Sequence, residues 1–436
     1  MSTTTRPAPV APEADLASLL PRSWKVPIAL TVFTLLSAVA FALTTKATAV
    51  SRVAIMTGTT GLGTINLTFG TLRWSWALTA VMAAFTGFAW WAAANRIHQV
   101  GQLPVGTTVG TIVGVGFVCT FLLWAVADKA SPLQFTGLLS GALFLSVPLI
   151  FGAMAGSVCE HVGVINVSIE GQLLAGAFLA AVVGAVTKNA WLGLLAAPVA
   201  GALIGALLAL FAVRYWVDHI IVGVVLNVLV SGLTSYLFST VLSQNTAVFS
   251  VAAKLPTWKI PLLGEIPVLG PVLFQQNVLV YIMYVGVFVL QIMMFHSRWG
   301  LRLRSCGEHP RAADTVGIKV NRTRVLNTIL GGAIAGLGGA YFTVAAGLAF
   351  GKDMSGGRGY IALAAMILGG WRPKAALLAA LLFGFADNLQ NALGIVGVAV
   401  PSQFMLMAPY LVTIFAVAGL VGRVRAPAME GKAYKG

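Results

Sequence analysis

Charged side chains are scarce in this chain of 436 residues. Only 9% of the residues are Asp, Glu, Lys or Arg, whereas soluble domains contain about 25%. Long stretches that contain none of the four include 189–213, 220–253, 266–297, 325–351 and 388–422. Each is longer than the roughly 20 residues that cross the hydrocarbon layer as a helix. Since a soluble fold cannot bury this much apolar surface, lipid must be the solvent for most of the chain.

Cysteine and catalytic motifs are also in short supply. Cys119, Cys159 and Cys306 are scattered, and their spacing fits neither a disulfide framework nor a metal site. No Gly-rich phosphate loop ends in Gly-Lys-Ser/Thr, and the nearest candidate, 347–353, has the wrong spacing. The five histidines are dispersed, and no paired carboxylates suggest hydrolysis. The sequence therefore predicts no catalytic residue, no metal and no cofactor of the chain's own.

What the sequence does contain is a series of continuous apolar runs. They lack the two-residue alternation of a membrane β-barrel, so the predicted fold class is all-α, a polytopic membrane helical bundle of about 10–12 transmembrane helices. The predicted spans are 26–43, 74–94, 105–127, 135–156, 172–188, 190–213, 219–242, 277–296, 325–347, 359–371, 374–394 and 401–421. Two glycine- or polar-interrupted segments, 159–172 and 356–370, suggest an internal repeat around a translocation site.

The excess of positive charge is concentrated beside the spans. Between 297 and 324, which we call the basic loop, seven basic residues face two acidic ones, and the tail after 422 adds four more. Such clusters mark the cytoplasmic side, and no aromatic residues alternate with them as in a nucleic-acid platform. Twelve crossings then leave both termini in the cytoplasm. Two long segments, 44–73 and 243–276, fall on the outer side, and the second is predicted as either a short amphipathic cap or an ordinary loop.

A short helix is predicted inside the basic loop, over 310–316. Pro310 suits the first helical turn, Gly317 suits the end, and Glu308 supplies the negative charge that a helix N-terminus favours. From these residues alone, a solvated loop whose charges only set the membrane topology is an equally good interpretation.

The string CGEHPRAADTVGI at 306–318 resembles the Gly-Glu-Asn-Pro-x-Ala-Ala signature of permease subunits of ABC importers, in the simple-sugar and nucleoside branch related to branched-chain amino-acid permeases. The strings GVINVSIEGQLLAGAF, IVGVVLNVLVSGLTSYL and GRGYIALAAMILGG resemble further blocks of that family, in order, across 135–425. The resemblance implies that the short helix is a coupling helix that docks on a separate ATPase. The matching positions are Glu308, His309, Pro310, Ala312, Ala313 and Gly317, with His309 where the family often has Asn.

The resemblance also implies the function and the partners. It predicts a permease subunit that moves nucleosides or simple sugars by alternating access, with ATP bound by a cytoplasmic ATPase subunit. A second permease chain, identical or paralogous, and an extracytoplasmic solute-binding (lipo)protein complete the complex in a bacterial plasma (inner) membrane. The predicted division is a disordered N-terminus (1–25), an N-terminal transmembrane extension (26–130), the permease core (131–425) and a cytoplasmic tail (426–436).

Several polar residues lie in apolar surroundings and are candidates for the solute pathway or its gate: Asn166, Glu170, Asn227, Asp387, Asn388, Gln390, Asn391 and Gln403. A carboxylate in the bilayer costs about 2.5–3.5 kcal/mol on insertion scales, so Glu170 is expected to face protein or water, either ordering the fold or lining the pathway. The amides are equally able to bind a hydroxylated solute or to bridge neighbouring helices.

Two other classes of protein are alternatives to the importer. An ion-coupled secondary transporter would use Glu170 and Asp387 and would need no coupling helix. A membrane-embedded enzyme would need a polar catalytic cluster, which the sequence lacks.

Overall fold

A computed structural model describes residues 24–56, 64–97, 99–100, 103–249, 254–398, 407 and 425–435. Most of the predicted disordered segment 1–25, nearly all of the predicted span 401–421, and Gln403 lie outside the described residues.

Within the described residues the chain is predominantly helical, which confirms the predicted fold class. The helices are α1 Lys25–Leu36, α2 Thr71–Ala94, α3 Val105–Ala125, α4 Phe135–His161, α5 Ile169–Thr187, α6 Ala190–Ala209, α7 His219–Leu237, α8 Thr246–Phe249, α9 Val278–His296, α10 Arg298–Glu308, α11 Pro310–Thr315, α12 Val320–Gly339, α13 Arg358–Leu368 and α14 Pro373–Val396. Wider helical turns extend α1 to Ala42, α6 to Arg214, α7 to Leu242 and α12 to Ala345. Ten helices of the described part are long and apolar enough to cross a membrane.

Short strands occupy some of the connections. They are β1 Val50–Met56, β2 Thr64–Gly70, β3 Gln99–Val100, β4 Leu103–Pro104, β5 Leu133–Gln134, β6 Thr257–Lys259 and β7 Gln275–Asn277. The first two lie where only an outer connecting segment was predicted, and their β-branched residues explain the strands. The segment 243–276 contains α8, β6 and a three-residue turn, and β6 pairs antiparallel with β7.

The described residues form two compact units. One comprises described residues within Met1–Ala54, Asn66–Leu133 and Ile395–Val398, and contains α1, α2 and α3. Its helices are joined by hydroxyl pairs, Thr34 to Thr86 at 2.9 Å and Ser37 to Thr79 at 3.0 Å. In an apolar solvent such interhelical hydrogen bonds contribute about 0.6–2 kcal/mol each, so these pairs set the register of α1 on α2.

The second unit comprises described residues within Ile55–Ile65, Gln134–Gly394 and Ala399–Gly436. Its most enclosed helices are α4 and the extended α12, each 72% buried over its most apolar window. Helix α6 crosses α12 at backbone contact. A Cβ atom on Gly201 would lie 2.1 Å from the carbonyl oxygen of Gly332 and 2.6 Å from Cα of Gly336. Small residues let membrane helices approach this closely, and Gly332 and Gly336 supply them on α12.

The basic loop contains two helices rather than one. The sequence interpretation missed α10, which begins at the Ser297 cap, whose Oγ accepts the Gly300 N–H at 3.2 Å. Leu303 and Cys306 are buried on one face, and this amphipathic pattern is the physical reason for the helix. The predicted short helix is confirmed to within one residue as α11, followed by Gly317 at φ +84°. Glu308 therefore ends α10 instead of lying in a loop ahead of α11.

Candidate functional site

Glu170 lies in the first turn of α5 and contacts the beginning of α13. Its Oε1 accepts hydrogen bonds from Ser355 Oγ at 2.6 Å and from the Gly357 N–H at 2.8 Å. Its Oε2 accepts the Gly359 N–H at 2.6 Å. Gly357 is the residue before α13, so the carboxylate of one helix caps the N-terminus of another. Free N–H groups and the helix dipole both favour a negative charge at that point.

The same short helix rests on α4 and is tied to it at its far end. A Cβ atom added to Gly152 would lie 2.6 Å from Ala362 Cβ, and one added to Gly156 would lie 2.7 Å from Met366 Sδ. Helix α13 therefore occupies a groove on α4 that only glycine leaves open. Just beyond α13, the Trp371 indole N–H donates to Glu160 Oε2, and Glu160 is only 3% exposed. Two acidic residues therefore hold the two ends of an 11-residue helix.

Asn227 connects α7 to this assembly. Its Oδ1 accepts the Gly171 N–H at 2.8 Å, and its Nδ2 donates to the Val167 carbonyl at 2.9 Å and to the Tyr360 hydroxyl at 3.1 Å. Since Tyr360 belongs to α13, one amide joins α5, α7 and α13.

Replacing Asn227 by Leu is expected to lower the free energy of unfolding by about 1–3 kcal/mol. The Gly171 N–H and the Val167 carbonyl would lose their partner while staying buried, which carries a desolvation cost of that size. Thermal unfolding of the purified protein in detergent measures the loss. Tyr360→Phe removes one of the three bonds and serves as the matched control with a smaller shift; equal stability of Asn227→Leu and the parent would contradict the bridging role.

Asn166 belongs to a buried side-chain network beside Glu170. Its Nδ2 donates to Gln172 Oε1 at 3.0 Å, its Oδ1 accepts from Ser168 Oγ at 2.8 Å, and all three residues are 0% exposed. The network orders the turn that leads from α4 into α5.

The remaining described candidates lie on α14. Asn388 Nδ2 donates to the Leu138 carbonyl of α4 at 2.8 Å, so this amide bridges two helices. Asp387 and Gln390 are half-buried, and Asn391 is exposed. The structure thus brings Asn166, Glu170 and Asn227 together at the start of α5, and leaves the α14 residues as a second group. Solute contact by either group stays a prediction.

Arg358 was missed by the sequence interpretation. Its guanidinium lies 5.6 Å from the centre of the Phe342 ring and interacts electrostatically with Asp387 and Tyr341. Its neighbours Gly357 and Gly359 are the residues that Glu170 holds. Arg358 therefore lies between the two polar groups. The sequence did contain a signal for this residue, since Arg358 is a single basic residue, flanked by glycines, at the start of an apolar run. A charge at such a position must face protein or water.

In the basic loop, the predicted coupling positions divide into anchors and exposed residues. Pro310 and Ala313 are buried and fix α11 to the unit. Glu308, His309, Ala312 and Gly317 are exposed. Val316, the residue that follows α11, is 75% exposed. Nearby, burial raises the pKa of the Cys306 thiol, which keeps it protonated and unreactive.

Among the described residues, no three His, Cys, Asp or Glu side chains converge as metal ligands. The described part of the chain instead combines ten apolar helices with a capped, half-length helix and a short protruding helix on a basic loop. Apolar spans around a short helix that begins at glycines are typical of membrane transport proteins.

Comparison with known proteins specifies the family. The family model for the permease component of branched-chain amino acid transport systems matches residues 138–418. The guanosine ABC transporter permease protein NupQ of Bacillus subtilis is 36% identical over 303 residues, 67% of this chain and 94% of its own. The nucleoside ABC transporter permease protein NupC of Lactococcus lactis is 37% identical over 306 residues, 68% of this chain and 96% of its own. A putative glucose ABC transporter permease protein of Haloferax volcanii is 31% identical over 258 residues, 58% of this chain and 77% of its own. No solved structure gives a significant match.

The chain therefore belongs to this family of ABC transporter permeases. The assignment decides between the two transporter classes that the sequence left open, in favour of the permease. The relatives are permease components rather than enzymes. The family match begins at residue 138, so α1, α2 and α3 precede the matched region.

Proposed function

We propose that the chain is the membrane-spanning subunit of an importer for nucleosides, driven by a separate cytoplasmic ATPase that docks on α11. The observation that carries the coupling role is the geometry of the basic loop. Pro310 and Ala313 anchor a six-residue helix, while Val316 beside it is 75% exposed. A rigid protrusion with an apolar tip suits a partner that must transmit motion to the helices behind it.

The two relatives with 36% and 37% identity support nucleosides as the solute, since their names specify guanosine and nucleosides. The Haloferax relative, a putative glucose permease, makes simple sugars the second candidate. Uptake of labelled guanosine, challenged in turn with unlabelled nucleosides and with glucose, separates the two. Competition by glucose alone would overturn the nucleoside assignment.

The proposed pathway passes the polar groups described above. The groups available there are the Arg358 guanidinium, the Asp387 carboxylate and the Tyr341 ring. Such groups are suited to binding a nucleobase and the hydroxyls of a sugar. We also propose that the chain works with a cytoplasmic ATPase, a second permease chain and an external solute-binding protein in the bacterial inner membrane. Both termini would be cytoplasmic, since the basic loop and the basic tail then lie on one side.

Replacing Val316 by Asp is expected to weaken ATPase docking by about thirtyfold or more, because a central apolar contact contributes roughly 2 kcal/mol or more to an interface. The measurement is the affinity of the purified variant for the ATPase that co-purifies with the chain from its native membrane. ATP-dependent uptake in vesicles should fall in parallel.

Val248→Asp is the matched control. Val248 is likewise an exposed valine, here within a four-residue helix, and it lies in segment 243–276, outside the basic loop. It should leave ATPase affinity unchanged. The proposal fails if the chain purifies without an ATPase and transports solute on an ion gradient alone.

A further inference from the structure

The tail 425–435, which we call the strap, is bonded to the same surface as the basic loop. Its backbone N–H groups donate to the core: Met429 to the Gly307 carbonyl at 2.9 Å, and Gly431 to the Gly163 carbonyl at 3.1 Å. The Ala428 N–H donates to Glu308 Oε2 at 3.3 Å. Glu308, predicted as a docking residue, therefore also has a structural partner in the strap.

A buried arginine fastens the strap to two helices. Arg324, near the start of α12, is 2% exposed. Its Nη1 donates to the Lys432 carbonyl of the strap at 2.8 Å, and its Nη2 donates to the Cys306 carbonyl of α10 at 3.3 Å. A buried guanidinium is costly unless its N–H groups have acceptors. The strap supplies one of them, so its position is built into the fold rather than being a loose end.

Two further contacts lie along the strap. The Glu430 carboxyl is hydrogen-bonded to that of Glu160, so one of the two carboxyls carries the proton of this bond. Burial raises the pKa of Glu430. Lys435 Nζ lies 4.9 Å from the centre of the Trp216 ring, between α6 and α7. The strap thereby bonds to residues at the ends of α4, α6 and α10.

The strap also reaches the coupling helix directly. The Tyr434 hydroxyl donates to Asp314 Oδ2 at 3.0 Å, and Asp314 is the penultimate residue of α11. A helix of six residues is not stable by itself in water, so its orientation depends on its contacts. Pro310 and Ala313 hold the buried side of α11, and the strap holds the exposed side at its C-terminal end.

We infer that the strap is a positioning element of the ATPase-docking surface: it fixes the orientation of α11 through Tyr434 and transmits the motion of α11 to α10 and α12 through Arg324. The inference rests on the proposed docking role of α11. It assigns a function to a segment that lies beyond the family match, which ends at residue 418.

The first test is a double-mutant cycle on ATPase affinity with the full-length chain. Tyr434→Phe removes only the hydroxyl and is expected to weaken ATPase binding about fivefold to tenfold, the factor that corresponds to one solvent-exposed hydrogen bond of ordinary net strength. Asp314→Ala should weaken it by a similar factor, and the double variant should lose no more than either single one. Asp314→Asn keeps an acceptor and should restore most of the binding. Tyr236→Phe, at an exposed tyrosine of α7, is the matched control and should have no effect.

The second test begins with a label measurement that needs no ATPase and ends with transport by the assembled complex. A spin label on Thr315→Cys, in a Cys119→Ser background, reports the mobility of α11, since Cys159 and Cys306 are buried and inaccessible to the reagent. Tyr434→Phe, and truncation before Ala428, should each increase the mobility of the label. Guanosine affinity should stay unchanged while solute transported per ATP hydrolysed falls, which a general loss of folding would not produce.

The outcomes separate the two proposals. Additive effects in the cycle, or unchanged label mobility without the strap, would overturn the positioning role and leave the importer assignment intact. Absence of any ATPase binding by the parent chain would overturn the coupling proposal, whereas the label experiment would still decide whether the strap orients α11.

Discussion

Replacing Glu170 by Ala is expected to release the N-terminus of α13 and abolish transport. The Ser355 hydroxyl and the Gly357 and Gly359 N–H groups would lose their common acceptor. A buried donor left without an acceptor costs about 1–3 kcal/mol, and three partly buried donors lose theirs here, so the loss is a large part of the stability of most proteins. We expect a lower thermal unfolding midpoint in detergent and no solute uptake in vesicles.

Glu170→Gln provides a graded comparison. It retains the acceptor at Oε1 but places an NH₂ group where Oε2 accepts the Gly359 N–H, so its loss of stability should be intermediate. Glu265→Gln is the exposed control, since the Glu265 side chain is half exposed and its carboxylate lies 3.5 Å from Lys259 Nζ. Full transport by a stable Glu170→Ala protein would show that the cap is dispensable.

Replacing Gly201 by Val is expected to prevent α6 from packing on α12. Already the first side-chain carbon would overlap the Gly332 carbonyl and the Gly336 backbone, and backbone atoms cannot rotate aside. Overpacking of a core costs typically about 1–3 kcal/mol when side chains can adjust, so a backbone clash should exceed that range. The yield of monodisperse protein from membranes measures the outcome, and we expect almost none.

Gly232→Val is the control for the general effect of valine in a membrane helix. Gly232 lies in α7 and is exposed, and a Cβ atom added there would meet no other atom within 4 Å. This variant should be recovered at the parental yield. Comparable losses for both variants would mean that the α6–α12 contact is not what limits folding.

The candidate site was predictable only in part. Glu170 and Asn227 stood out because polar groups are rare in the apolar runs, and α11 because a Pro and a Gly bracket it. The residues that bind them could not be recognised in the sequence. Ser355 lies 185 positions from Glu170, and Tyr360 lies 133 positions from Asn227. Both are common residue types that do not stand out. Arg324 was attributed to the positive charge of the basic loop, and only its burial to 2% distinguishes it from its exposed neighbours.

The sequence by itself determined that this protein spans a membrane as a helical bundle, because apolar runs of more than about 20 residues admit no other solution in lipid. It also determined the position of α11 and, through its motifs, the family. Only the tertiary structure decided that Glu170 caps α13 and that the strap bonds to α11 and Arg324. Each of these depends on pairing groups far apart in the chain. Hydrophobic periodicity and local turn chemistry act within a few residues, so they carry no information about such pairs.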